Sequence, residues 1–205
     1  MPEDHLSYGM LHRARAAKDT KIALHYFRRA IAEGDQTRDI HWMAAHQALT
    51  NLLNDLGRGD EALQEHRKWR DSEPDCAWAH VSYAYALAKS GYISEACQEI
   101  TEALRLDEQD VNVQTMAGDL FAQAGRYEEA VTHWDKAYML DNSCISCWFS
   151  KAEMYASTGQ TEKAVQQYQG ILTWLEEHGY NMDLEGIYPL QRIEELNCNE
   201  VKGQE

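Results

Sequence analysis

The chain has 205 residues, 44% of them hydrophobic, with 19 Lys and Arg against 34 Asp and Glu and a formal net charge of −15. That apolar content excludes wholesale disorder, and the length is enough to bury a core, either as one ordinary domain or as a short repeat array. The acidic balance argues against nucleic acid and anionic membranes as partners, because both need a basic protein surface.

No stretch approaches the roughly 18 uninterrupted apolar residues of a membrane helix. Prolines occur only at Pro2, Pro74 and Pro189, which leaves long stretches free to be helical, and no alternating segment marks a strand. The expected class is all-α. The opening Met1-Pro2-Glu3-Asp4-His5 lacks a basic patch leading into an apolar run, so no secretory signal is expected. Five cysteines, an odd number without framework spacing, fit reduced thiols and a cytoplasmic location.

The first predicted pair of helices, residues 4–37, carries Leu11 and Ala14, then Ala23, Phe27 and Ala30, with Lys18 between them. Downstream the same arrangement becomes strict. Gly57, Gly91, Gly125 and Gly159 lie 34 residues apart, and each is followed five residues later by Ala62, Ala96, Ala130 or Ala164. A fixed period of this length means copies of one supersecondary unit. Counted from fourteen residues before each glycine, the units are 43–76, 77–110, 111–144 and 145–178. Ala23 to Ala62 is 39 residues, so extra chain near Gly34-Asp35-Gln36 lengthens the first connection.

Within 111–144, Ala117, Gly118 and Phe121 form the stripe of a first helix, and Tyr127, Ala130, Trp134 and Ala137 that of a second. Both have helical spacing. Small residues at Gly118 and Ala130 let two helices approach, and Phe121 and Trp134 fill the space beside them. Gly125 ends the first helix, where a left-handed residue is cheapest. Residues 179–205 leave the period. Leu190, Ile193 and Leu196 behind Pro189 predict a helix that caps the last repeat, with Arg192, Glu194 and Glu195 pointing elsewhere.

The pattern resembles the tetratricopeptide repeat family. Its succession of small and large residues is met by Trp148, Ala152, Tyr155, Gly159, Ala164 and Tyr168, and by Tyr83, Ala84, Leu87, Gly91, Ala96, Ile100 and Ala103. Leu49, Leu53, Gly57, Ala62 and Pro74 supply a further copy, and the N-terminal pair is a degenerate one. The resemblance covers residues 4–178. It implies a right-handed α-solenoid of stacked helix-turn-helix repeats over 1–178, followed by a capping helix and tail over 179–205.

It also implies a non-enzymatic scaffold that holds a peptide or helix of another protein in a concave groove, as an adaptor, chaperone or assembly factor. The groove is lined in this family by the first helix of each pair. Carried onto this chain, its positions are Tyr8 and His12; Gln47, Asn51 and Asn54; Trp78, Val81 and Tyr85; Asn112, Met116 and Asp119; and Phe149, Ser150 and Glu153. Trp78 and Tyr85 are seven apart, on a helical face roughly opposite Tyr83 and Leu87, and large aromatics outside the packing stripe need a reason to be there. The alternative is that Trp78 and Phe149 simply pack against neighbouring repeats. One branch of the family clamps a partner's C-terminal carboxylate with two lysines, two asparagines and an arginine. The matching slots here hold Gln47, Asn51, Ser82, Asn112 and Met116, so the neutralising cations are missing.

Charge is uneven along the chain. Residues 1–30 hold six Lys and Arg against three Asp and Glu, and the rest hold 13 against 31. This fits a solvated surface, a groove for a basic partner, or head-to-tail self-association through the basic first repeat.

Chemistry is sparse. Cys144-Ile145-Ser146-Cys147 is a Cys-x-x-Cys across a repeat junction, but no second pair of cysteines or histidines completes a zinc set. Ordinary thiols are expected there, with a thiol or zinc module as the alternative. His66 and His80 fall on packing slots. No catalytic constellation, phosphate loop, metal set or cofactor motif is evident.

Overall fold

A computed structural model of the chain describes residues 20–34, 40–180 and 187–202. Among these the regular elements are ten α-helices: α1 (Thr20–Gly34), α2 (Ile40–Asp55), α3 (Gly59–Ser72), α4 (Ala77–Lys89), α5 (Ile93–Leu106), α6 (Val111–Gln123), α7 (Tyr127–Leu140), α8 (Ile145–Ser157), α9 (Thr161–Glu177) and α10 (Ile187–Lys202). Tyr8 and His12 lie outside the described residues.

The periodic glycines make the turns. Gly57, Gly91, Gly125 and Gly159 have φ of 70, 85, 75 and 73°, a region that costs side-chain-bearing residues strain. The N–H after each glycine returns to a carbonyl five residues back: Arg58 to Leu53 at 2.8 Å, Tyr92 to Leu87 at 2.9 Å, Arg126 to Phe121 at 2.8 Å and Gln160 to Tyr155 at 2.9 Å. This pairing satisfies helix-end carbonyls. Gly179, at φ 73°, repeats the turn after α9, with Tyr180 N–H donating to Leu175 O at 3.0 Å.

The chain divides into two compact units within α5, between Ala96 and Cys97. In the first, α1 packs on α2, α2 on α3 and α3 on α4. Phe27, Leu49 and Leu53 fill its centre, with Ala23, Ala45 and Ala62 as the small residues that let helices close. A satellite cluster brings Trp69 and Ala79 together beside Ile31 and Cys76, and His46 stacks on Trp69 at 5.0 Å between ring centres.

In the second unit α6 pairs with α7 and α8 with α9, α7 packs on α8, and α10 packs on α9. Asp110 caps α6 by accepting from Asn112 N–H at 2.7 Å and Val113 N–H at 3.1 Å, as a carboxylate at a helix start should. Gln114, fully buried, donates to the Glu108 carbonyl at 2.7 Å and meets the His133 ring at 2.7 Å. Trp134 lies over Gly118 and donates its indole N–H to Asp119 Oδ1 at 2.9 Å. Tyr168, Ile171, Trp174 and Leu175 form the core at the C-terminal end, and Leu196 of α10 closes it.

Two expectations for the last helix need correcting. Leu190 is 46% exposed, and Pro189 is buried in its place. Residues 189, 193 and 196 follow the i, i+4, i+7 spacing of one face, and Leu190 falls beside it. Arg192, expected to point away, instead reaches Glu153 of α8.

Candidate functional site

In the first unit the expected groove residues fall on α2 and α4. Gln47 and Asn54 are exposed and Asn51 is half-buried. Gln47 Nε2 donates to Asn51 Oδ1 at 2.9 Å, the ordinary reach of an i, i+4 pair. Trp78 and Tyr85 on α4 are 37% and 40% exposed, and the Lys89 ammonium sits 5.4 Å from the centre of the Tyr85 ring. Val81 departs from the expectation: it lies a turn from each aromatic yet is only 4% exposed. Its short side chain stays near the backbone and is covered, whereas the longer rings extend past it.

In the second unit Asn112 is exposed, and Met116, Asp119, Phe149, Ser150 and Glu153 are half-buried. Three of these converge. Asp119, Ser150 and Glu153 line one open cleft of about 450 Å³ together with Gln123, Tyr127, Trp134 and Met154. Burial pushes the Asp119 carboxyl above the usual carboxylate range, against hydrogen bonds from Ser150 and Trp134 that favour the ionised form.

Glu153 has a different environment. Burial pulls its carboxyl upward, but hydrogen bonds from Tyr168, Tyr188 and Arg192 prevail and hold it below its ordinary value. Tyr188 OH donates at 2.6 Å to Oε1, and the Arg192 guanidinium donates to both oxygens at 3.1 Å. Tyr168 OH donates to the same Oε1. Glu153 thus ties α10 to α8.

Phe149 does not join the cleft. It packs against the C-terminal core, with its ring 6.0 Å from that of Tyr188, and lines a separate hollow with Ile145, Trp174 and Tyr180. Asn112 and Met116 lie outside both.

Sequence reasoning missed Tyr127, Tyr188 and Arg192. Tyr127 belongs by spacing to a packing stripe, yet as the first residue of α7 it is 39% exposed and lines the cleft. Its place directly after the Gly125 turn, where a helix face has just begun, was the available signal. Tyr188 and Arg192 lie outside the period, so no repeat position marks them.

Titratable groups elsewhere are structural in placement. Burial holds His46 down at about 4, helped by the neighbouring His66, and burial alone holds His66 at about 4. Among the described residues no three His, Cys, Asp or Glu are grouped to hold a metal ion, and no helix is long and apolar enough to cross a membrane. Cys144 and Cys147 do come together, with their sulfurs 2.7 Å apart.

Two stretches match tetratricopeptide repeat family models, residues 112–136 and 145–174. No curated protein matches the chain by sequence. Among solved structures the chain is similar to TTC0263, a thermophilic TPR protein of Thermus thermophilus. The two share 20% identity at a TM-score of 0.68, over 94% of this chain and 99% of that one. It is similar to the MamA protein at 15% identity and a TM-score of 0.62, over 87% of this chain and 93% of that one. YrrB, described as a TPR protein with an unusual peptide-binding site, aligns at 16% identity and a TM-score of 0.56, over 85% and 86% of the two chains. At these identities the likeness establishes the fold, an all-α helical repeat. The two family matches show that the chain carries tetratricopeptide repeats, and the glycine-closed helix pairs and shared fold support a tetratricopeptide repeat protein.

Proposed function

We propose that the chain is a protein-binding scaffold that takes an extended or helical segment of a partner, with a basic side chain of that segment seated in the Asp119–Ser150 cleft. The observation that carries the reading is the cleft itself. Three expected groove positions from two neighbouring repeats, on α6 and α8, converge on it. They bring two carboxylates and a hydroxyl, and the aromatic rings of Tyr127 and Trp134 flank them. A carboxylate beside aromatic faces is a receptor for a guanidinium or ammonium group. In the first unit, Trp78 and Tyr85, large and part-exposed on α4, form a separate aromatic surface of the type that dominates interface energetics. Preorganised repeats keep the ordering cost of binding low on the scaffold side. A peptide-binding site in the structurally similar YrrB is consistent with this use of the fold. The same reading casts the chain as an adaptor, chaperone or assembly factor.

The test is capture from native lysate by the wild-type chain, by Trp78→Ala/Tyr85→Ala and by Asp119→Asn/Tyr127→Ala, with helicity checked by circular dichroism. The expected result is a protein retained by the wild type, competed off it by Lys- or Arg-bearing peptides, and lost with Asp119→Asn/Tyr127→Ala, while loss with Trp78→Ala/Tyr85→Ala marks the α4 aromatics as a contact surface in their own right. Equal capture by all three chains would overturn the groove reading. The charge asymmetry favours one second reading, self-association of the basic first repeat with an acidic surface of another copy. It predicts an oligomer whose mass falls as salt is raised, and a monomer insensitive to salt excludes it.

A further inference from the structure

The repeat gives an internal standard for the start of each first helix. The residue before α4, α6 and α8 is Cys76, Asp110 and Cys144, and the third residue within each is Ala79, Val113 and Cys147. Ala79, Val113 and Cys147 are all fully buried, so a small apolar residue satisfies the inner slot. In the outer slot Asp110 caps its helix, whereas Cys144 makes no capping hydrogen bond, so the cysteine gives up the stabilisation that a capping side chain brings. Only before α8 do sulfurs occupy both slots.

The two side chains meet. Cys144 Sγ and Cys147 Sγ are 2.7 Å apart, well inside the separation of unbonded sulfurs and within a short movement of the ~2.05 Å bond. The Thr115 hydroxyl of α6 lies 3.3 Å from Cys147 Sγ and 3.7 Å from Cys144 Sγ, and Ser146 Oγ lies 3.4 Å from Cys144 Sγ. Cys144 is part-exposed and Cys147 is buried. An accessible thiol at a helix start, backed by a buried one, is the arrangement in which the first can be attacked from solvent and the second can resolve the product.

We propose that Cys144 and Cys147 are a reversible dithiol–disulfide couple, a modification site oxidised by low-molecular-weight disulfides of the glutathione type. The Cys144 thiolate attacks one sulfur of the oxidant, forming a mixed disulfide and releasing one reduced thiol. Cys147 then attacks the Cys144 sulfur, forming the internal bond, and its proton leaves with the second reduced thiol. The protein gives up two hydrogens and the oxidant becomes two thiols. The environment separates the roles. Burial pulls the Cys144 thiol upward, but hydrogen bonds from Cys147, Ser146 and Thr115 prevail and hold it below its ordinary value. Burial, together with the bond to Cys144, pushes Cys147 up to about 12. Thr115 and Asp119 belong to α6, the helix that carries one wall of the cleft, so the couple sits beside the surface proposed to bind a partner. The assignment does not depend on that function.

The experiment incubates the purified chain in glutathione buffers of increasing oxidised fraction, alkylates the remaining thiols, and weighs the tryptic peptide 137–151. Cys144 and Cys147 are the only cysteines of that peptide. The wild-type peptide should lose both alkylation sites together, with a mass two hydrogens below the reduced form, and dithiothreitol should restore it. Cys147→Ala, which installs the residue the repeat tolerates at Ala79, should retain glutathione on Cys144. Cys144→Ser should leave Cys147 unmodified. Exposed Cys198 reports within the same sample that the oxidant is active. A wild-type peptide that keeps glutathione on Cys144, forms a disulfide between two chains, or stays fully alkylatable after Cys198 has reacted would each overturn the proposal.

Discussion

Two glycines inside helices should respond to alanine with opposite sign. A Cβ on Gly118 of α6 would stand 2.5 Å from Cδ1 and Nε1 of Trp134 and 2.9 Å from its Cε2. Carbon contacts are comfortable at about 3.5–4.0 Å, so the indole would have to retreat by roughly 1 Å. Trp134 is 2% exposed and tethered to Asp119 at 2.9 Å, which leaves it little room. Overpacking of this kind costs about 1–3 kcal/mol, and a strained indole hydrogen bond adds roughly 0.5–1.5 kcal/mol. Alanine's better helix propensity returns about 1 kcal/mol. The net expectation for Gly118→Ala is a loss of about 1–3 kcal/mol, or a fall of roughly 3–10 °C in Tm at this chain length. Gly170 of α9 is the control. Its Cβ would meet Trp148 at 3.7 and 4.0 Å, ordinary contact, so Gly170→Ala should gain about 0.4–1 kcal/mol. Thermal and urea unfolding followed by circular dichroism, with Trp134 among the fluorescent reporters, reads both. A Gly118→Ala chain at or above the wild-type midpoint, or equal losses from the two variants, would refute the argument.

The turn glycines test backbone strain alone. Nothing lies within 4 Å of a Cβ built on Gly91, whose φ is 85°, so Gly91→Ala should cost about 1–2 kcal/mol in urea unfolding and Gly91→Asn distinctly less. Acidification should weaken the first unit. His46 and His66 are held near 4 when folded, against an ordinary 6.5, so the unfolded chain binds more protons between these values. Stability present above about pH 6.5 is then lost as pH falls towards 4, and a series of unfolding midpoints should flatten in His66→Leu. Arg192→Ala and Glu153→Gln, combined in a double-mutant cycle, should show a coupling of about 0.5–1 kcal/mol, because the pair is only partly shielded at 26% and 40% side-chain exposure.

What the sequence disclosed and what it hid have distinct physical causes. Gly57, Gly91, Gly125 and Gly159 were legible because one backbone conformation recurs at a fixed interval and only glycine adopts it freely. The burial of Ala130, Trp134, Ala164 and Tyr168 followed from helical spacing about those turns. Individual groove positions were less legible: Val81 and Tyr85 share a face, but side-chain length leaves one covered and the other exposed. The link from Arg192 to Glu153 spans 39 residues, outside any repeat register, and spacing carries no record of it. The Cys-x-x-Cys at Cys144 and Cys147 was legible as a motif, but spacing carries no record of Thr115, brought in from 32 residues away to meet both sulfurs.

The tie between α10 and α8 also decides where acidity is usable. A carboxylate offers about four lone-pair sites, and Glu153 already receives donors from Tyr168, Tyr188 and both arms of Arg192. Its acceptor capacity is spent inside the protein, and its charge is matched by a guanidinium. Asp119 receives two neutral donors, from Ser150 and Trp134, and its charge has no cation among them. A positively charged ligand entering the cleft therefore sees one available anion, although two carboxylates line its wall. If a basic segment binds here as proposed, a single Lys or Arg would match the cleft, and a second adjacent cation would have to displace Arg192 first.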